Sequence, residues 1–223
     1  TTSWGLSTRF IGGIIMTHGD DQGLILPPRL APIQIVIVPI YRNELDKTVV
    51  MEFTNKVTQQ LNGFRIKLDD RTEVTPGFKF NDWEMRGVPL RIEIGPKDVE
   101  KGVVTVARRD ILGREGKSQL PAENLAPQIS ELLKTVHNNL YQKALKFRDE
   151  HIYYPENYQQ MVEMLQDGWT YVNWCGDPEC EAKVKEDTKA TTRCMPIEDN
   201  HPSGNCIICG KPSTTMVYFG RAY

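Results

Sequence analysis

The apolar positions of this chain change period several times, and each change marks an element. Residues 33–40, IQIVIVPI, are an almost unbroken β-branched run, the pattern of a strand buried on both faces of a sheet. From Val49 the period lengthens. Val49, Val50, Phe53, Val57 and Leu61 recur every three to four residues, which predicts an amphipathic helix stopped by Asn62-Gly63. Residues 64–68 return to strand spacing, with Ile66 and Leu68 on one face. Past the turn Thr75-Pro76-Gly77, FKFNDWEMRG reads as a short helix, and LRIEIGP and GVVTVARRD read as two further strands. The order β-α-β-α-β-β predicts an α/β unit of roughly 100 residues, with a mostly parallel mixed sheet flanked by helices.

On either side of this unit the pattern differs. Residues 10–16 are helix-like, then give way to THGDDQG and LPPRLAP, where glycine and three prolines forbid a continuous helix and indicate a linker. Beyond residue 127, Ile129, Leu132, Leu133, Val136, Leu140, Ala144 and Phe147 keep one face of a long helix apolar until YYPEN breaks it. A shorter helix at 158–166 and a strand at WTYVNW lead into the first cysteine. Three parts follow: 1–30, a helix end and linker; 31–126, the α/β unit; and 127–223, a smaller α/β domain.

Composition narrows the picture. Hydrophobic residues are 39% and charged ones 25% of 223, ordinary for a folded chain, and the net charge of −2 excludes an indiscriminate polycation while permitting a local basic face. The apolar runs are too short to span a bilayer, so no membrane role is expected. All 5 cysteines lie within residues 175–209, a clustering that points to a metal site in a reducing, cytoplasmic compartment rather than a disulfide framework.

Their spacing is specific. WCGDPEC places Cys175 and Cys180 as a C-x4-C pair, and NCIICGKP places Cys206 and Cys209 as a C-x2-C pair. Two thiolates in one tight turn can face a common centre, and two such pairs complete a tetrahedral structural zinc site, closed rather than catalytic. The alternative is a set of buried free thiols. Cys194 has no partner at this distance and is expected as a small core residue, while His201 is a substitute ligand only if its turn folds inward.

Other local chemistry is sparse. No histidine stands beside a nucleophile, and neither a phosphate-cradling GxxxxGK loop nor an HExxH pair occurs. Around FKFNDWEMRGVPLRIEIGPKDVEKG, Arg86, Arg91, Lys97 and Lys101 interleave with Phe78, Phe80 and Trp83. Guanidinium donors and stacking rings suit unpaired RNA bases, and a solvated face over an ordinary aromatic core is the competing explanation.

Four stretches carry a family resemblance. TSWGLSTRFIGGIIMTHGDDQGLILPPRLAPIQIVIVPI resembles the third signature motif of class II prolyl-tRNA synthetases of the archaeal- and eukaryotic-like type, with the linker beyond it. GVPLRIEIGPKDVEKG resembles that family's anticodon-binding domain, the two cysteine pairs its zinc-stabilised C-terminal domain, and YFGRAY its terminus. The resemblance implies that Arg9 grips ATP phosphate and that Trp4 and Ser7 line the pocket for proline and its adenylate. It also implies that Tyr223 folds its terminal carboxylate toward the active site, and that Glu84, Arg91 and Lys97 read the anticodon guanines. The alternative for Glu84 is a salt bridge to Arg91 or Arg86. ATP with magnesium, proline, proline tRNA and a homodimeric partner are implied for the whole enzyme. Motifs one and two are not in this chain, so it is expected to be inactive alone. A free-standing RNA-binding adaptor is the other function class that the residues permit.

Overall fold

The structure, a computed structural model, describes residues 2–197 and 203–221. It divides into two compact units, Thr1–Ala144 and Leu145–Tyr223.

In the first unit a helix, α1 (Arg9–His18), precedes a five-stranded sheet made by β1 (Ile35–Pro39), β2 (Ile66–Leu68), β3 (Leu90–Ile94), β4 (Val103–Arg108) and β5 (Lys117–Pro121). The spatial order is β2-β1-β3-β4-β5. β1 pairs in parallel with β2 and β3, whereas β4 and β5 join antiparallel. Central β1 is buried at all five positions, as its unbroken apolar run requires. Its alternation feeds two cores. Ile35 and Ile37 pack with Val50 and Val57 of α2 (Glu44–Gln60), with Leu61 at its C-cap, and with Leu125, Ile129, Leu133 and Val136 of the long helix that follows β5. Val36 and Val38 face Trp83 of α3 (Pro76–Met85) on the other side. Each fully buried isoleucine contributes about 2–3 kcal/mol of transfer free energy.

Local chemistry sets the helix ends. Asn43 caps α2 by accepting the Asp46 amide at 2.8 Å. Thr75 caps α3 by accepting the Phe78 amide at 3.3 Å, with Pro76 at the first helical position. A short helix, α4 (Pro96–Lys101), stands between β3 and β4 where the sequence pattern suggested only a connection. The long helix, α5 (Leu125–Glu150), starts a turn earlier than its apolar stripe and belongs to the first unit as far as Ala144.

A buried polar knot fixes α3. Asp69, 2% exposed, accepts the Trp83 indole N–H at 2.7 Å and a two-pronged contact from Arg71 at 2.7 and 2.8 Å. Arg71 also reaches Asp82 at 3.0 Å, and Lys79 donates to the Asp69 carbonyl at 3.1 Å. Burial pushes the Asp69 carboxyl up, but the hydrogen bonds from Arg71 and Trp83 outweigh it and hold it at about 2.

The second unit contains β6 (Ile152–Tyr153), α6 (Tyr158–Met164), β7 (Trp169–Asn173), α7 (Pro178–Thr188), β8 (Ala190–Cys194) and β11 (Met216–Arg221), with a small hairpin of β9 (Gly204–Asn205) and β10 (Pro212–Ser213). Its sheet runs β6-β7-β11-β8. Met161, Leu165, Val172, Val184, Val217 and Phe219 form its core. No helix among the described residues is long and apolar enough to cross a membrane.

Candidate nucleic-acid interface and metal centre

β3 has two different faces because strand side chains alternate. Leu90, Ile92 and Ile94 enter the main core, which turns Arg91 and Glu93 to the α3 side. Arg91 is only 8% exposed. Its Nη1 donates to Glu84 Oε1 at 2.7 Å, its Nε donates to Glu93 Oε1 at 3.0 Å, and its guanidinium lies over the Phe80 ring at 4.2 Å. Lys117 reaches the same Glu93 at 2.8 and 2.9 Å and also faces Phe80. Two bases, two acids and one aromatic ring therefore form a single cluster. Its register is explicit: Val36, Arg91, Ala107 and Lys117 stand side by side across four strands.

Above this cluster opens a cleft of about 250 Å³, lined by Gln22, Glu84, Arg91, Arg109, Arg114 and Lys117 among others. Arginine outnumbers acid on its walls. Arg109 is committed to Asp20 through two hydrogen bonds of 2.6 and 2.8 Å, whereas Arg114 is exposed on a single 3-10 turn (Gly113–Gly116). Such a cleft, with fork-like donors, accessible carboxylate and a half-buried ring beneath, has the chemistry to hold an unpaired base and its phosphates.

Of the three expected base readers, Glu84 and Arg91 come together, in the ion pair that was the alternative for Glu84. Lys97 lies apart, exposed at the start of α4 beyond the C-terminal end of β3. Arg86 instead bonds Asp82 at 2.9 Å. Glu93, Lys117, Arg109 and Arg114 were not singled out from the sequence. The alternation LRIEI already put Arg91 and Glu93 on one face, but Lys117 reaches the site only through the β4–β5 pairing and Arg109 only through the β3–β4 pairing.

The expected adenylate residues stand on the approach to α1. Trp4 is 97% exposed, and the Arg9 amide donates to Ser7 Oγ at 3.4 Å. Arg9 lies along an open groove with Phe10, Gly13, Ile14, Thr17 and His18. Tyr223 and His201 lie outside the described residues.

The second unit gathers the cysteines. Cys175 follows β7, Cys180 sits in the first turn of α7, and Cys206 and Cys209 occupy the turn between β9 and β10. The Ile207 amide donates to the Asn173 carbonyl at 3.1 Å, tying that turn to the end of β7. All four Sγ atoms lie within 4.8 Å of one another, and Cys175 is 3.7 Å from both Cys180 and Cys209. A tetrahedron with metal–sulfur bonds of about 2.3 Å has edges of about 3.8 Å, so these donors fit a thiolate-bound metal ion. Burial and the neighbouring thiols hold Cys180 above its ordinary range. For Cys206, burial acts upward, but backbone amides of Cys209, Ile208 and Cys175 prevail and bring it to about 7. Cys194 departs from expectation: it is exposed at the end of edge strand β8, not a core residue, because the sheet places β8 outermost.

Residues 34–132 match the anticodon binding domain family, and residues 158–223 match the C-terminal domain of prolyl-tRNA synthetase. The proline–tRNA ligase of Roseiflexus castenholzii is 50% identical over 224 residues, which is all of this chain and 47% of that protein. The chain belongs to the prolyl-tRNA synthetase family, as its C-terminal part. The proline–tRNA ligase of Chloroflexus aurantiacus is 47% identical over the same extent. Among solved structures, a prolyl-tRNA synthetase from Cryptosporidium parvum complexed with L-proline and AMP superposes with a TM-score of 0.91 at 38% identity, covering 99% of this chain and 47% of that one. The chain thus spans about half the length of the relatives it matches, and the family's anticodon-binding domain coincides with the unit that carries the Glu84–Arg91 cleft.

Proposed function

We propose that this chain is the tRNA-holding part of a proline–tRNA ligase and that the Glu84–Arg91 cleft reads the two anticodon guanines shared by proline tRNAs. The observation that carries this reading is a carboxylate and a guanidinium meeting over an aromatic ring inside the anticodon-binding domain. Guanine presents N1–H and N2–H donors beside O6 and N7 acceptors. A carboxylate answers the first pair, and arginine or lysine the second. Glu84 supplies the acceptor and Arg91 a donor within the cleft, while Lys97, apart from it at the start of α4, serves as a donor to the anticodon outside the cleft.

The whole enzyme joins proline to its tRNA in two steps. The proline carboxylate attacks the α-phosphate of ATP and pyrophosphate departs; the terminal ribose hydroxyl of the tRNA then attacks the prolyl carbonyl and AMP departs. Arg9 neutralises ATP phosphate, with magnesium accompanying the nucleotide, and Trp4, Ser7 and Tyr223 border the proline and adenylate site. The homodimeric enzyme works in the cytoplasm. Zinc held by Cys175, Cys180, Cys206 and Cys209 is structural: four thiolates fill its coordination sphere and lock the β9–β10 turn to α7.

The test is binding of this chain, at one fixed salt concentration, to the anticodon stem–loop of proline tRNA and to a version with both guanines replaced. A preference of about tenfold or more for the natural loop supports the reading, since each good base contact discriminates by about 1–3 kcal/mol. Equal binding to both overturns it.

A further inference from the structure

The segment between α1 and β1 looked like a plain linker, yet it is built into the wall of the cleft. Asp20 and Gly23 exchange two backbone hydrogen bonds of 3.0 Å each, closing a tight turn. The chain then runs along the end of α3: the Leu24 amide donates to the Met85 carbonyl at 3.0 Å, and the Leu26 amide to the Gly87 carbonyl at 3.2 Å. The approach is close enough to demand glycine on both sides. Gly23, at φ 122°, has Met85 backbone atoms 2.6 Å from where a Cβ would sit, and Gly87, at φ 74°, has Leu24 at the same distance.

Arg109 fastens this strap. Its side chain is 2% exposed, and all three of its donor nitrogens are used. Nη1 and Nη2 grip the two oxygens of Asp20 at 2.8 and 2.6 Å, and Nε donates to the Glu84 backbone carbonyl at 2.9 Å. Asp20 and Arg109 are 89 residues apart in sequence. One planar fork therefore joins the strap to the very residue whose side chain meets Arg91, and Gln22 of the strap lines the same cleft. Only arginine offers this geometry. A lysine in its place keeps the charge but has one nitrogen, so it cannot hold both Asp20 oxygens and the Glu84 carbonyl in a fixed plane.

We propose that the Asp20–Arg109 fork is a positioning device for base reading: it fixes the backbone of Glu84, so that the strap leading from α1 sets how sharply the cleft distinguishes guanine from other bases. This rests on the reading of the cleft as the anticodon site. Glu84 stands at the last turn of α3, where the helical ladder runs out and its carbonyl keeps only the Gly87 amide, at 3.0 Å, as a turn-type backbone donor. Arg109 adds a second donor, Nε at 2.9 Å, from outside the helix and thereby limits the rotation that would carry the carboxylate away from the base. Neither Asp20 nor Arg109 needs to touch the RNA.

The test compares wild type, D20N, R109K, E84Q and the double variant R109K/E84Q. For each, affinity for the natural and the guanine-replaced stem–loops is measured at fixed salt, together with thermal stability. D20N and R109K are expected to cut the ratio of the two affinities by about tenfold, the size of one well-placed base contact. R109K/E84Q should lose no more discrimination than E84Q alone, because the fork acts through Glu84. D20E is expected to restore part of the ratio. A merely structural role would lower stability and both affinities together and leave the ratio unchanged, and that result overturns the proposal. Should R109K fail to fold, D20N, on a partly exposed turn, decides the matter alone. The two readings fail separately: no discrimination by wild type removes the anticodon reading, whereas discrimination that survives D20N and R109K removes only the fork.

Discussion

Arg91 Nη1 lies 2.7 Å from Glu84 Oε1, so the arginine and the carboxylate expected to face a base already face each other in the free chain. Arg91 is the more buried partner, at 8% exposure against 31% for Glu84. Removing it strands Glu84 and Glu93 near one another with a single lysine between them. Arg91→Ala should therefore cost about 3–5 kcal/mol of stability, as expected when one partner of a buried pair is deleted. Chemical denaturation reads this directly, and an unchanged midpoint would show that the cluster relaxes. Glu84→Gln is the cleaner functional probe: it keeps the shape and should lower guanine discrimination by about 1–3 kcal/mol while moving the melting temperature little.

Arg114 contributes differently. It is exposed on the cleft rim with no carboxylate partner among the described residues, so it suits phosphate rather than base. Arg114→Ala should weaken natural and guanine-replaced stem–loops equally and reduce the slope of log affinity against log salt by about 0.7, one phosphate contact of a single strand. A loss confined to the natural loop would mean that Arg114 reads a base.

Asp69 gives the first unit a defined acid sensitivity. Its folded carboxyl titrates at about 2, below the unfolded value of about 3.9. A depressed folded pKa stabilises wherever the group is ionised. The contribution, about 2 kcal/mol, is fully present above roughly pH 5 and is lost as the pH falls through 4 toward 2. Asp69→Asn should be clearly less stable than wild type at pH 7, with the gap narrowing toward pH 3. A gap independent of pH would assign the effect to packing alone.

On the proposed zinc reading, the second unit is expected to depend on metal for its stability. Chelation, or Cys209→Ser, should unfold residues 145–223 at a temperature lower by about 10 °C or more, since structural metal binding in small domains is worth many kcal/mol and each kcal/mol shifts a domain of this size by about 4–8 °C. Stoichiometric zinc by elemental analysis, lost in the serine variant, is the accompanying measurement. Cys194→Ser, on the exposed edge, should change neither.

Much of the scaffold was legible in the sequence because it depends on short-range physics. The β-branched run at 33–40 could only be an interior strand, and the three-to-four spacing from Val49 to Leu61 could only bury one helical face. The two cysteine pairs likewise carry their geometry in their spacing, and the structure needed only to bring the turns together. What the chain could not state is which charges meet. Glu84 and Arg91 are seven residues apart, but Lys117 reaches Glu93 only because β4 and β5 double back, and Arg109 reaches Asp20 across 89 positions. Local pattern decides which faces are apolar, since burial is paid residue by residue along an element. Long-range ion pairs depend on strand order and register, which no window of sequence contains. The sequence alone thus determined the principal strands and helices, the spacing of the cysteine pairs and the family; the tertiary structure alone decided that a linker becomes a wall and that one buried arginine joins it to Glu84.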